Sequence, residues 1–169
     1  MVREANRRLT QNPRDADALK SLGDIYYQEE DFEKSLKTFE LLVDLCATNK
    51  ELDEFEITMK YAISALRTKR LKEAYKSLLI TRSMKQDVFE INYNLGYLEY
   101  ARKNYEKSSA LLAQANLVQP AHPETLKYFG MSLYRIKRYD DSAKIFAGLW
   151  SSSRTTRKPR LRWGSVITN

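Results

Sequence analysis

The segment "YNLGYLEYARKNYEKSSALLAQA", residues 93–115, returns 34 residues later as "KYFGMSLYRIKRYDDSAKIFAGL", with Gly96 and Gly130 in the same place. Recurrence at a fixed spacing constrains a fold more than composition does, because each copy must be one structural unit whose apolar face is buried by its neighbours. Both copies carry an apolar residue before the glycine (Leu95, Phe129) and a tyrosine four residues after it (Tyr100, Tyr134). An aromatic follows nine residues past the glycine (Tyr105, Tyr139) and a serine twelve past it (Ser108, Ser142). "SLGDIYYQEEDFEKSLKTFELL" has the same frame through Leu22, Gly23, Tyr27, Phe32, Ser35 and Phe39, and "TMKYAISALRTKRLKEAYKSLL" is a degenerate copy with Tyr61, Ala62, Leu71, Ala74 and Leu78. The degenerate copy stands 39 residues after the first and 34 before the third, and the five extra residues fall near "CATNKELDEF", in a longer turn or an extra helical turn.

Within each copy, apolar residues recur at helical spacing in two segments, parted by a short polar turn such as "QEED", "RTKR", "ARKN" or "RIKR". Each unit therefore reads as a helical hairpin. Gly23, Ala62, Gly96 and Gly130 in the first helices are set opposite Ser35, Ala74, Ser108 and Ser142 in the second. Small residues on both sides let the backbones approach closely. A glycine inside a helix costs about 1 kcal/mol relative to alanine, so its return at one slot asks for a packing reason.

The first helix of the third unit is apolar on two sides, with Ile91, Leu95 and Leu98 on one and Tyr93, Tyr97 and Tyr100 on the other. An ordinary surface helix has one apolar stripe, so both faces of this helix must be in contact with something.

Charge excludes less than its total suggests. The net charge is +7, but the segment from Ser151 to Asn169 holds five basic residues (Arg154, Arg157, Lys158, Arg160, Arg162) and no acidic one, leaving 24 basic against 22 acidic before it. The body is close to neutral, with interspersed charges typical of a solvated helical surface. No run of about 18 apolar residues and no signal-like N-terminus occurs, so a soluble chain without a membrane span is expected, with the cytoplasm as its compartment. The lone Cys46 reads as a small core residue. Nothing points to catalysis or to a cofactor or metal. The single histidine, His122, sits in "QPAHPET" and reads as a turn residue at a helix start; there is no phosphate-binding glycine loop and no nucleophile with a base in reach.

With apolar, Leu-Gly, Tyr, small and aromatic positions in that order, and a closing Pro120, residues 16–150 resemble the tetratricopeptide repeat family. Leu19, Thr58, Asn92 and Leu126 depart from its opening tryptophan, and Glu99 fills a slot that is usually apolar or aromatic. The resemblance implies an all-α, right-handed solenoid of antiparallel hairpins, with repeats over about 16–49, 55–88, 89–122 and 123–150. Ala5, Leu9 and Pro13 read as the end of a preceding repeat over residues 1–13, so the chain is expected to be an excerpt of a longer array.

The same resemblance implies a concave groove lined by the first helices, and with it a non-enzymatic adaptor or scaffold holding a partner's peptide or helix. The groove candidates are Lys20, Asp24, Tyr27 and Gln28; Met59, Ile63, Leu66 and Arg67; Tyr93, Tyr97 and Tyr100; and Lys127, Met131, Tyr134 and Arg135. Such a lining suits a protein segment with apolar anchors. Tyr27, Tyr100 and Tyr134 are read chiefly as seals between repeats, whereas Tyr93 and Tyr97 are assigned to binding. The cationic clamp by which co-chaperone members of the family hold acidic C-termini is not reproduced. Lys20 matches it, but Asp24 and Lys60 stand where asparagines belong, and a frame one repeat later offers Met59 and Ile63.

The segment 151–169, rich in Ser, Thr and Arg with Pro159 and Gly164, is a poor helix former. Three readings stay open for it: a basic arm for an anionic surface, a strand-like segment folded over Trp150, or sequence foreign to the domain. Nucleic acid is not the expected partner, because basic residues with only Trp163 among them make no recognition motif. Phe146, Leu149 and Trp150 would form an uncapped apolar end through which copies of the chain could self-associate. Besides the adaptor reading, two alternatives follow: electrostatic docking through the basic tail, and a small chaperone of the secretion type, against which the partial N-terminal repeat counts.

Overall fold

A computed structural model describes residues 2–155, with side chains through Trp150. The described residues form nine helices and no strand: α1 Val2–Gln11, α2 Ala16–Gln28, α3 Phe32–Cys46, α4 Glu54–Arg67, α5 Leu71–Met84, α6 Phe89–Ala101, α7 Tyr105–Val118, α8 Pro123–Arg135 and α9 Tyr139–Thr155. After α1 they pair as hairpins, α2 with α3, α4 with α5, α6 with α7 and α8 with α9, and each hairpin stacks on the next. This is the all-α solenoid of the sequence reading. Most of the inserted residues fall in the connection 47–53, a longer turn, and the rest extend the end of α3 and the start of α4 without adding a helix. Helix α9 continues through Thr155, beyond the composition break at Ser151, since serine and threonine are only mediocre helix formers and no breaker precedes Pro159.

Local chemistry sets the ends of the helices. Asp15, Asp31 and Asp53 cap α2, α3 and α4 by accepting the backbone N–H of Ala18, Lys34 and Glu56. The tight turns inside the hairpins share one device. Glu30, Lys69, Lys103 and Lys137 sit in the left-handed region with φ of 58°, 61°, 63° and 65°. In each, the next N–H reaches back five residues to the helix, as from Asp31 to Tyr26, Arg70 to Ala65, Asn104 to Glu99 and Arg138 to Leu133. These are Schellman endings built without glycine.

The glycine slot is a packing device. At Gly96 an added Cβ would lie 2.6 Å from Leu112 Cγ, and at Gly130 it would lie 2.8 Å from the Phe146 ring. Ser108 and Ser142 lie opposite, each donating its hydroxyl to the carbonyl of that glycine at 2.8 Å. The core consists of side chains such as Phe39, Leu42, Ile57, Leu78, Ile91, Leu95 and Leu112, all fully buried, each contributing about 1.5–3 kcal/mol of apolar transfer.

Successive hairpins do not meet alike. Ser35 and Ser64 join α3 to α4 by a hydroxyl pair at 2.9 Å, and Ser108 and Ser132 join α7 to α8 in the same way. At the α5–α6 junction the matching residues are Ala74 and Leu98, followed by Glu99 in place of Ala65 and Leu133. These two helices stay tied near their connection, where buried Asn92 donates to the carbonyls of Gln86 and Val88 and accepts from Arg82. Toward their other ends they diverge, because bulk has replaced the close serine pair, and the packing is the sparsest between adjoining hairpins.

Candidate partner-binding face

The first helices present two chemically different surfaces. In the N-terminal half the polar candidates answer one another. Lys20 Nζ donates to Glu56 at 3.1 Å, and Lys60 Nζ donates to both Glu56 and Asp24 at 2.6 Å. Burial pulls the Lys60 ammonium toward a lower pKa, but its hydrogen bonds to Asp24 and Glu56 outweigh that and leave it raised. Glu56 is held below the ordinary carboxylate range, first by Lys60 and then by Lys20. Lys20 and Asp24 are therefore paired with the following hairpin.

Tyr27 lies edge-on to Phe32 and Phe39, with ring centroids 5.9 and 6.5 Å away, and burial raises its phenol pKa. Arg67 lies over Phe32 at 5.4 Å. Met59 and Leu66 pack on the apolar cluster shared by α4, α5 and α6, Ile63 is half-buried, and Gln28 is exposed.

The C-terminal half is aromatic. Tyr93 stacks on Phe89 at 5.7 Å, and both rings meet the edge of His122 at the start of α8, at 5.5 and 5.0 Å. Tyr97 is edge-on to Tyr128 at 5.0 Å, which in turn touches Tyr100 at 5.3 Å. Tyr100 meets Tyr105 at 5.5 Å, and its hydroxyl lies 4.0 Å from Met131 Sδ. Lys127 lies over Tyr128 and Arg135 over Tyr105, at 5.2 and 5.8 Å. Tyr134 leans on Tyr139 at 5.2 Å. So Tyr93, Tyr97, Tyr100, Lys127, Met131 and Arg135 come together where α6 meets α8. Tyr93 and Tyr100 are half-buried there, whereas Tyr97 is 40% and Tyr134 60% exposed.

Sequence reasoning missed Phe89, His122 and Tyr128, which hold this surface together. Phe89, Tyr93 and Tyr97 recur every fourth residue, a signal that could have shown the stripe. His122 is the N-cap of α8, its Nδ1 accepting the Thr125 N–H at 3.3 Å, and the same ring braces Tyr93. At the end of the array Phe146 is turned inward over Gly130 and half-buried, which corrects its assignment to an outward-facing end. Leu149 is half-buried, and Trp150 is 67% exposed. Among the described residues no group of His, Cys, Asp and Glu could hold a metal, and no helix is long and apolar enough to cross a membrane. Residues 156–169, with most of the basic tail, lie outside the described residues.

A family model described as tetratricopeptide repeat matches residues 2–50, which span α1 to α3. No curated protein matches the sequence. Among solved structures, a crystal structure of the MamA protein superposes with a TM-score of 0.75 at 14% identity, covering 99% of this chain and 87% of that one. MamA from Desulfovibrio magneticus RS-1 gives 0.74 at 16% identity over 93% and 86%. YrrB, a tetratricopeptide-repeat protein with an unusual peptide-binding site, gives 0.73 at 13% identity over 89% and 75%. At these identities the likeness concerns the fold. The family's model thus lies on α1 to α3, and over its described length the chain has the tetratricopeptide-repeat fold.

Proposed function

We propose that this chain is a non-enzymatic interaction module, an adaptor or scaffold within a larger assembly, that holds a peptide or helix of a partner protein on the aromatic face of α6 and α8. One observation carries the reading. The first-helix surface is self-neutralised in its N-terminal half by Lys20, Asp24, Glu56 and Lys60, but in its C-terminal half it displays rings fixed by neighbouring rings, with Tyr97 40% exposed. Rigid aromatic groups with an apolar body and a polar tip are the usual anchors of protein interfaces, because little conformational freedom is lost when they are covered. The peptide-binding site ascribed to YrrB, which shares the fold, supports the same class of function.

The test is co-purification from source lysate with three baits: residues 1–169, the same chain with Tyr97→Ala, and residues 1–150. Tyr97 is preferred to Tyr93 because Tyr93 also braces the start of α8. The expected result is a partner recovered by the intact and shortened chains and depleted at least tenfold by Tyr97→Ala, with unchanged helicity. Full recovery by Tyr97→Ala together with loss on removing residues 151–169 would overturn the reading in favour of electrostatic docking through the basic segment.

A further inference from the structure

The divergence of α5 and α6 opens a cleft of about 640 Å³ on a different side of α6 from Tyr97. Leu71, Tyr75 and Leu79 line it from α5, spaced every fourth residue along one stripe, with Leu98 and Ala101 across from them on α6. Leu71 and Leu79 are 49% and 46% exposed, although the stripe is continuous with the apolar floor. The matching position on α3 shows what closure does: Leu36, which corresponds to Tyr75, is buried against Ala65 and Ala74.

The rim is cationic. Lys72, Lys76 and Arg102 border the cleft, and Lys107 borders the adjoining recess, where the only carboxylate is Glu99. Glu99 is 3% exposed and accepts the Tyr75 hydroxyl at 2.5 Å, so it is turned inward, and Arg102 lies over the Tyr75 ring at 4.5 Å. Among the described residues no carboxylate comes within ion-pair distance of Lys72, Lys76 or Lys107, whereas the lysines of the first-helix face are paired.

We infer that the α5–α6 cleft is a second docking slot, independent of the aromatic face, that takes an acidic amphipathic helix of a partner protein. Leucine-type anchors enter between Leu71, Leu79 and Leu98, and carboxylates flank them on the lysine rim. Charge decides the occupant: the chain's own segment 151–169 carries five basic and no acidic side chains and would be repelled.

The experiment uses the full chain and a displayed library of helical peptides with leucine fixed at every third or fourth position and Asp, Glu, Lys, Arg, Ser or Ala elsewhere. Selection is expected to enrich carboxylates. By fluorescence anisotropy the enriched peptide should bind Lys72→Glu/Lys76→Glu and Leu79→Ser at least tenfold more weakly, and Tyr97→Ala within twofold of the parent chain. These rim substitutions lie at exposed sites, and circular dichroism would verify that the fold is kept. Selection without carboxylate enrichment, or enriched peptides that bind Lys72→Glu/Lys76→Glu as tightly as the parent, would overturn the inference. So would sedimentation showing the chain paired with a second copy through this cleft. Because Tyr97 lies outside it, loss of the aromatic-face reading leaves this result intact, and the reverse also holds.

Discussion

At the scale of single residues, the repeat is held by what is missing at one position. Gly96 has no Cβ because Leu112 occupies that space: the added atom would be 2.6 Å from Cγ, 2.9 Å from Cδ2 and 3.3 Å from the Leu112 backbone nitrogen. Leu112 is fully buried and close through its main chain, so it cannot swing aside. At Gly130 the obstacle is the half-buried Phe146 ring, and at Gly23 the nearest atom of Phe39 is 3.1 Å away. Overpacking costs about 1–3 kcal/mol, and alanine recovers about 1 kcal/mol of helix propensity. Gly96→Ala is expected to lower stability by up to about 2 kcal/mol on that balance, and Gly23→Ala by distinctly less. Urea unfolding of the two variants checks the order; equal losses would mean that glycine is kept for something other than Leu112. That small residues belong in this slot was readable from the repeat. Which glycine tolerates least was not, because it depends on whether the opposing side chain can move.

At the scale of elements, each hairpin turns through a left-handed residue that is not glycine. An L-residue in that region carries about 1–2 kcal/mol of strain, and glycine removes it at a smaller entropic cost. Lys103→Gly is therefore expected to stabilise the chain by about 0.5–1 kcal/mol, whereas Lys103→Ala, with the same Cβ, should change little. Thermal unfolding of both variants checks this, and an equal response to Gly and Ala would locate the effect in the lysine's charge. These turns were expected where "QEED", "RTKR", "ARKN" and "RIKR" interrupt the apolar periodicity, but their geometry was invisible because the glycine or asparagine that normally marks it is absent. The ion pairs of α2 with α4 were equally hidden. Lys20 and Asp24 each find a partner 36 residues on, a spacing that belongs to inter-repeat register rather than to one helix. Glu99 did stand out in sequence as the wrong kind of residue for its slot. Its consequence, an open junction, emerges only from comparing Leu98 with Ser64 and Ser132 across three interfaces.

At the scale of the whole molecule, the two halves depend on different physics. Three carboxylates held below their ordinary range lie in the N-terminal half: Asp15 through the Ala18 N–H and Arg8, Asp31 through Lys34, and Glu56 through Lys60 and Lys20. Beyond α5 the corresponding case is Asp141, lowered by Arg138 at the start of α9. The central hairpin α6–α7 and helix α8 rest instead on rings, serine pairs and apolar packing. A carboxylate whose folded pKa is depressed contributes stability that is fully present above its unfolded pKa, near 4, and is lost as pH falls through the folded value. In a linear array stability is passed between neighbours, and the open end of the α5–α6 junction weakens that transfer at the middle. Acidification from pH 7 to 3 should therefore strip amide protection from α2–α4 before α6–α8, read residue by residue by hydrogen exchange at matched temperature. If protection falls together along the whole chain, the junction transmits stability as well as its neighbours do and the division into halves is wrong. If the N-terminal half yields first, then a substitution that destabilises α2–α4 should leave the aromatic face of α6 and α8 competent to bind while the ion-paired half is unfolded.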